Sequence, residues 1–324
     1  MTACQTSKIA SGFTLSPAKM IHSRADNRFE FEPRVNRDRN KPSRICCREI
    51  AEADLPALAD LLARGFPRHT SEFWREAFER LSTHRTPADM PRYGFLLETN
   101  DAPVGVVLTI FSRVDTDESN IRCNLSSWYV EPEFRCYASL LQPRGPSYRD
   151  ITFVNITPAT HTLPLLEAQG FVQYSTGQFI AMPTVRGPWN AHVKTCTNDI
   201  CAGPDLAASL VDLLLTHARY GCISVTCTDA EGRHPFVFKR WQPIHGIPSA
   251  YLIYCRSVES FVRFAGPLGR FLAWRGLPLI VLDAAGPLPG LVGRFLDDHP
   301  KLSKGPNPPR LADLAYTERA LFGF

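Results

Sequence analysis

The sequence predicts an α/β protein in which helices flank mixed sheets, with two such units in tandem. Apolar positions alternate between helical spacing and short β-branched runs along most of the chain. A stretch rich in helix and strand breakers at 184–190 divides this pattern, and a similar order of elements follows it. A length of 324 residues suits two domains of common size, and 44% hydrophobic residues suit buried cores.

The elements of the first unit follow one another between residues 44 and 183. Leucines after Asp54 share one face of a helix that ends at Gly65, and an aromatic face marks a second helix from Ser71. The other predicted elements are strands at 45–49, 93–98, 104–111, 124–130 and 151–156, helices at 133–141 and 161–168, and a pair of strands over 171–182.

The second unit, 191–324, repeats the order helix, three strands, helix, strand. These elements are predicted at 206–218, 222–228, 235–239, 250–255, 258–274 and 279–283, with the second helix broken near Gly266 and Pro267. The tail is predicted to begin helically near residue 311, to end in a strand-like run, and to pack where the two units meet. Asp313, Tyr316 and Glu318 are polar enough to line an acceptor pocket there, but we expect them at the surface.

Composition excludes several classes of function. A net charge of +4 is too small to predict binding to nucleic acid or to a membrane surface. No apolar run approaches the roughly 20 residues of a membrane-spanning helix. Residues 1–43 have no sustained apolar period and no secretory signal, so we predict a disordered extension. Ten cysteines without such a signal favour free thiols in a reducing compartment, the cytoplasm.

One cysteine spacing raises the question of a metal. Cys196 and Cys201, followed by Cys222 and Cys227, form two C-x4-C pairs. Zinc usually binds cysteines on tight turns, whereas 222–227 has the β-branched pattern of a strand, which would direct its two thiols to opposite faces. We therefore expect buried cysteines and no metal.

Two junctions between elements carry motifs. Residues 130–135 read VEPEFR after a strand, and residues 165–171 read LLEAQGF at the end of a helix. The first resembles the V-x-P-x-[YF]-R-G-x-G-x-G motif of the GNAT acyl-CoA N-acyltransferase superfamily, and the second resembles that superfamily's A-x-x-L-Y-x-x-x-G-F segment. Residues 104–107, VGVV, are similar to a strand of the same superfamily. The resemblance covers the first unit. The second unit repeats the order of elements without the motif, so we interpret it as a degenerate copy.

The resemblance implies a site for acetyl-CoA or a longer acyl-CoA. Backbone amides at a helix N-terminus bind a pyrophosphate well, and glycines let the backbone approach it. The implied cradle consists of Val130, Arg135, Cys136, Tyr137, Ala138, Ser139 and Leu140. Here the sequence departs from the superfamily, because Cys136, Ala138 and Leu140 stand where it has glycine.

The resemblance also implies catalytic positions. The backbone N–H of Val130 is the expected donor to the oxyanion, if the strand separates from its neighbour there. Leu166 replaces the usual tyrosine acid, which leaves Tyr129 and His161 as substitutes. No carboxylate lies within 124–130, so Glu131 is the nearest base. Each of these residues also has a purely structural interpretation. Tyr129 would be a half-buried strand residue, His161 a residue at the start of a helix, and Glu131 a solvated acid.

The implied function is acyl transfer from acyl-CoA to an amine or hydroxyl of a small molecule or peptide bound between the two halves. The alternative is a non-catalytic module of the same fold that binds an acyl-CoA or a protein. A third possibility, transfer from aminoacyl-tRNA, requires a basic groove that the net charge of +4 does not predict. The sequence leaves open the acceptor, the acyl length and the oligomeric state.

Overall fold

A computed structural model of the chain describes residues 21–22, 29–31, 45–100, 102–114, 120–143, 145–182, 191–197 and 206–323. The predicted linker at 184–190 lies outside these residues, as does most of the predicted extension. Within the extension, two short strands at 21–22 and 29–31 join the first sheet.

Sixteen strands are described. They are β1 (Ile21–His22), β2 (Phe29–Phe31), β3 (Ile45–Glu49), β4 (Gly94–Thr99), β5 (Ala102–Arg113), β6 (Ile121–Val130), β7 (Thr152–Asn155), β8 (Val172–Ser175), β9 (Gly177–Ala181), β10 (His192–Thr195), β11 (Ile223–Asp229), β12 (Gly232–Ile244), β13 (Ile247–Cys255), β14 (Leu279–Ala284), β15 (Gly293–Leu296) and β16 (Lys301–Lys304). The described α-helices are α1 (Leu55–Gly65), α2 (Ser71–Thr83), α3 (Leu163–Ala168), α4 (Ala208–Arg219), α5 (Val258–Ala273) and α6 (Glu318–Leu321).

The strands form two mixed sheets. The first has the order β1-β2-β3-β4-β5-β6-β7-β16-β8, and the second has the order β10-β11-β12-β13-β14-β9-β15. In each sheet one pair is parallel, β6 with β7 and β13 with β14, while the other described pairs are antiparallel. Each parallel pair follows three antiparallel strands, so the two halves share one plan. The predicted fold class, two α/β units in tandem, is confirmed.

The two halves exchange strands. β9 continues the chain of the first half but lies between β14 and β15 of the second sheet, and β16 from the second half lies between β7 and β8 of the first. A buried ion pair joins β16 of the first sheet to β14 of the second. The Lys301 ammonium lies 2.7 Å from the Asp283 carboxylate, and both side chains are fully buried. The Tyr251 hydroxyl also donates to Asp283 at 2.6 Å. Neither sheet is therefore made from one contiguous stretch.

The helices follow local signals. Pro56 lies in the first turn of α1, where its missing N–H costs no hydrogen bond, and Thr70 caps α2 by accepting from the Phe73 amide at 3.3 Å. The apolar faces of α1 and α2 pack with α4 and part of the C-terminal segment in one hydrophobic cluster. This cluster includes residues of both halves, so the halves share a core.

Three predicted elements differ from the structure. α5 is continuous through Pro267, because its buried face offsets one lost backbone hydrogen bond. Residues 132–141 form a 3₁₀ helix where we predicted an α-helix. The tail begins with turns and an isolated β-bridge between Asp313 and Tyr254, and becomes helical only at Glu318, whereas we predicted a helical start. Its packing where the units meet is confirmed by the burial of Leu314 and Leu321. Among the described residues, no helix is long and apolar enough to cross a membrane.

Candidate functional site

The parallel strands β6 and β7 part near the middle of β6. They pair only from Arg122 with Thr152 to Asn124 with Val154, while β6 continues to Val130. Beyond Asn124 and Val154 the edge of β6 is therefore not covered by β7. We call this gap the strand opening. The predicted role of Val130 required such a separation, and the strands do separate there.

A β-bulge lies in β6 along the strand opening. The register between β5 and β6 shifts between Val106 and Leu108, and Ser127 has φ of +51°. A serine in the left-handed region is strained, and such residues and bulges are concentrated at functional sites. The Ser127 hydroxyl lies 3.1 Å from that of Ser126. No glycine marks this bulge, so the sequence pattern did not predict it.

The backbone N–H of Val130 points into the strand opening. The Glu131 amide donates to the Val104 carbonyl at 2.9 Å. Val104 and Glu131 are therefore a hydrogen-bonded pair of the antiparallel ladder. Such pairs alternate with pairs whose N–H groups point away from each other, and the next pair, Gly105 with Val130, is of this second kind. The Val130 amide is thus directed toward the side from which β7 has separated.

The predicted phosphate cradle has a different local structure from that expected. In a 3₁₀ helix each amide donates to the carbonyl three residues earlier. The first hydrogen bond of this kind runs from the Phe134 amide to the Glu131 carbonyl at 2.9 Å. The 3₁₀ geometry therefore engages amides of the segment from Arg135 to Leu140 within the helix. A diphosphate bound at this turn would accept its hydrogen bonds mainly from the amides before Phe134 and from side chains.

The cradle side chains divide into two groups. Arg135 and Cys136 are exposed at the start of the segment. Tyr137, Ala138 and Leu140 are half-buried against the apolar outer face of the first sheet, and Ser139 is half-buried beside them. Leu140 thus packs toward the sheet, and its bulk is absorbed by the core.

The three predicted catalytic side chains lie in different surroundings. The ring of Tyr129 packs on the end of α1, where it faces Phe66 at 6.2 Å between ring centroids. Glu131 forms an ion pair with Arg64 at 2.9 Å. His161 is exposed in a short 3₁₀ turn before α3, beyond the end of β7.

Leu166, at the position of the superfamily's tyrosine, is fully buried in the core cluster of the first sheet. No acid from that position reaches the strand opening.

An aromatic loop between α1 and α2 lies beside the end of β6. Phe66 contacts both Tyr129 and Trp74, and His69 stacks on Phe73 at 4.2 Å between centroids. Partial burial, assisted by the charge of Arg68, lowers the pKa of His69, which favours the neutral imidazole. The sequence pattern predicted only a boundary between two helices at this loop.

A carboxylate from the other end of the chain reaches the strand opening. Glu318 is fully buried, and its carboxylate accepts hydrogen bonds from the Asn124 side-chain amide and from the Thr157 hydroxyl, the latter at 2.8 Å. Burial raises the pKa of Glu318, partly opposed by these two hydrogen bonds. The expected surface position of Glu318 was wrong, because the signal is a contact across 194 residues of sequence.

The expected surface positions of Asp313 and Tyr316 were wrong as well. Asp313 is buried in an ion pair with Arg122 at 3.2 Å. Tyr316 is half-buried, packs against the tilted ring of His217 at 4.7 Å between centroids, and lines a cavity. The expectation assumed that Asp313, Tyr316 and Glu318 would hydrogen-bond to water on an exposed tail. Instead, the tail packs into the shared core.

A cavity of about 410 Å³ lies between the two halves. Its wall is formed by the turn after α2, the end of β5, the start of β6, α4 and the C-terminal segment. Arg122 marks its position on β6, eight residues before Val130 and therefore about 26 Å along the strand. The cavity thus lies at the closed end of the parting strands, away from the residues of the predicted site.

Uncharged polar groups dominate one wall of the cavity. His84 donates from Nε2 to the Phe111 carbonyl at 2.8 Å, so its Nδ1 accepts from the Tyr220 hydroxyl at 2.9 Å. Burial lowers the pKa of His84 and raises that of Tyr220 to about 12. Both groups are therefore neutral near pH 7.

The described cysteines do not form a zinc site. Cys222 and Cys227 are buried in clusters on opposite faces of the second sheet, as the strand pattern predicted, while Cys201 lies outside the described residues. Within the described chain, Asp229, Glu231 and His234 are close enough together to hold a cation. Arg263 already pairs with both of these carboxylates, so a guanidinium supplies the positive charge there.

No protein-family model and no curated protein matches the sequence. The GCN5-related glucosamine N-acetyltransferase region of a fungal multi-domain β-N-acetylglucosaminidase matches 84% of this chain and 39% of its own, at 11% identity and a TM-score of 0.54. A GCN5-related N-acetyltransferase from Sphaerobacter thermophilus matches 83% of this chain and 98% of its own, at 14% identity and a TM-score of 0.46. A putative acetyltransferase from Pyrococcus horikoshii matches 87% and 96%, at 12% identity and a TM-score of 0.44.

The first of these likenesses shows the fold of the chain. Over 84% of its length the chain shares the fold of that GCN5-related N-acetyltransferase region, and the motifs at 130–135 and 165–171 resemble the same superfamily. The resemblance is thus confirmed at the level of the fold. Activity is a separate question that depends on the site.

Proposed function

We propose that the protein is an acyltransferase that moves an acyl group from acyl-CoA to an amine or a hydroxyl. The observation that carries this proposal is the strand opening with the Val130 amide directed into it. An amide in this position can stabilise the negative charge that develops on a thioester carbonyl during attack. Acyl transfer also needs little else, because positioning lowers the barrier and a thiolate is a good leaving group.

The donor is proposed to be acetyl-CoA or a longer acyl-CoA, with its thioester at Val130 and its diphosphate near the start of the 3₁₀ helix. Arg135 is exposed there and supplies a positive charge. Because the 3₁₀ helix engages amides after Phe134 in its own hydrogen bonds, we assign more of the phosphate binding to Arg135 and less to the backbone than the resemblance implied.

The acceptor is proposed to be a small molecule or a peptide that enters between the two halves. It would approach the face of β6 that bears Tyr129 and the aromatic loop at 66–69, which lies on the side of α1. Glucosamine belongs in the panel of acceptors to be tested, because one structure of similar fold is a fungal glucosamine N-acetyltransferase region. We place the reaction in a reducing compartment such as the cytoplasm, since the eight cysteines of the described chain are free thiols.

The experiment combines calorimetry with product analysis. Purified protein is titrated with acetyl-CoA and longer acyl-CoAs, and acylated products from a panel of amines and alcohols are identified by mass. Detection of released thiol is unsuitable, because the exposed Cys136 reacts with thiol reagents. Binding of a donor together with an acylated product supports the proposal, whereas no binding of any acyl-CoA refutes it.

A matched pair of variants tests the amide itself. Val130→Pro removes the N–H that faces the strand opening and leaves the ladder to β5 intact, whereas Val130→Ile changes the side chain and keeps the amide. We expect the proline variant to lose about a hundredfold to a thousandfold in kcat. The isoleucine variant should stay near wild type. Equal activity of the two variants would remove the amide from the mechanism.

A non-catalytic module that binds an acyl-CoA or a protein is the second candidate. The observations that favour it are the buried Leu166 in place of a tyrosine acid and the internally bonded amides of the 3₁₀ helix. Tight binding of an acyl-CoA without an acylated product from any acceptor would favour this candidate.

A further inference from the structure

The C-terminal segment, residues 312–322, is fixed between the two halves. Near its start, the Leu314 amide donates to the Ile253 carbonyl of β13 at 2.8 Å. Near its end, the Arg80 guanidinium of α2 donates to the Leu321 carbonyl at 3.0 Å. Because both ends are held, the side chains between them have defined positions in the shared core.

Glu318 lies between these anchors, at the point where the two parallel strands part. Asn124 is the last residue of β6 that pairs with β7, and Thr157 follows the end of β7 by two residues. One carboxylate accepts from both, with one oxygen for each. Glu318 therefore spans the closed end of the strand opening.

Stability alone does not account for a carboxylate at this place. Burying a charge is costly, and an apolar side chain of similar volume is often as stable or more so. Asn124 is also almost fully buried, and among the described atoms its Oδ1 has no donor. A polar cluster kept at this cost beside the strand opening indicates a role in the site.

We propose that Glu318 is a positioning residue of the acyl-transfer site, an inference that rests on the proposed function. Its carboxylate holds Asn124 of β6 and Thr157 after β7 at a fixed separation, and so sets the width of the strand opening in which the Val130 amide meets the thioester. Glu318 is fully buried and both its oxygens are bonded, so it acts on the reacting atoms through these partners.

The ionised form fits this role best. Two hydrogen-bond donors meet two acceptor oxygens, whereas the neutral acid carries a proton on one oxygen and can satisfy only one donor well. The ionisable groups that interact electrostatically with Glu318 are Arg319 of its own helix, Lys301 of β16 and Tyr174 of β8. The raised pKa of Glu318 therefore predicts that activity falls as the pH decreases through that pKa.

Kinetics of Glu318→Gln test the proposal, with Glu79→Gln on the exposed face of α2 as the control. We expect kcat/KM to fall about tenfold to a hundredfold in Glu318→Gln and to stay unchanged in the control. The acid limb of the wild-type pH profile should disappear in Glu318→Gln. A wild-type rate and a wild-type pH profile in this variant would overturn the proposal.

A milder variant guards against a folding defect. Thr157→Val removes one donor to Glu318 by a change at an exposed residue, so the apolar core keeps its packing. We expect it to lose activity about fivefold to tenfold while the protein stays folded, with a melting temperature only slightly below that of the wild type, because one buried carboxylate oxygen loses its donor. No loss in this folded variant would equally contradict the positioning role.

Hydrogen exchange separates failure of this inference from failure of the proposed function. If the wild type transfers no acyl group, the proposed function fails, but Glu318 can still be tested. Amides at 126–130 should exchange about tenfold or more faster in Glu318→Gln than in the wild type, because a bond that holds the strand opening is lost. Unchanged exchange there would show that Glu318 does not set its width.

Discussion

Gly65 is the residue on which the placement of Tyr129 depends. A Cβ at Gly65 would lie 2.4, 2.5 and 2.7 Å from three ring atoms of Tyr129. Carbon atoms in contact stay roughly 3.5–4.0 Å apart, so Gly65→Ala must displace the ring by about 1 Å or more. The contacts are with Cγ and the adjoining ring carbons, which cannot move without the whole side chain. The neighbouring Val130 would be disturbed with it.

The magnitude follows from two opposing effects. Overpacking of this kind typically costs about 1–3 kcal/mol. Alanine is favoured over glycine in a helix by at most about 1 kcal/mol, and by less in the last turn, where Gly65 lies. We therefore expect Gly65→Ala to lower the free energy of unfolding by about 1–2 kcal/mol in the wild type.

A double-mutant cycle isolates the contact. In a Tyr129→Ala background the ring is absent, so Gly65→Ala should be neutral or slightly stabilising, and the coupling energy should be about 1–3 kcal/mol. Urea unfolding of the four proteins measures it. An equal effect of Gly65→Ala in both backgrounds would refute the packing argument.

Further predictions concern the exchanged strands, acid sensitivity and thiol reactivity. Lys301→Met leaves Asp283 buried without its cation and should cost about 3–5 kcal/mol in urea unfolding, whereas Lys301→Met with Asp283→Leu should stay within about 2 kcal/mol of the wild type; a double variant as unstable as the single would contradict this. Burial lowers the pKa of His217 to about 4, so the unfolded chain takes up a proton below pH 6.5 that the folded chain refuses until about pH 4. The wild type should therefore lose about 3 kcal/mol over that window relative to His217→Gln, and parallel pH curves would disprove the assignment. Among the described cysteines only Cys136 is exposed, so peptide mapping after brief alkylation should find it modified first; earlier modification of a buried cysteine would count against the structure.

The local elements could be predicted because their signals are local. The faces of α1 and α2 and the alternation of β5 and β6 depend on residues within a few positions of one another. The motif at 130–135 was recognisable for the same reason, and it located the strand that carries Val130.

The rest of the site depends on contacts that no local pattern encodes. Glu318 meets Asn124 across 194 residues, and β16 enters the first sheet from the far end of the chain. Ser127 adopts a left-handed conformation without the glycine that usually signals it. In the 3₁₀ segment after Val130, Tyr137 and Leu140 likewise pack on residues of the sheet that are distant in sequence.

Hydrogen–deuterium exchange with and without acetyl-CoA tests most directly whether the strand opening holds the donor. We expect the ligand to slow exchange in peptides that cover 128–137 and 156–162, which lie on its two sides. Unchanged exchange in these peptides, or slowing confined to 84–88 and 209–220 around the cavity, would contradict a donor site at Val130.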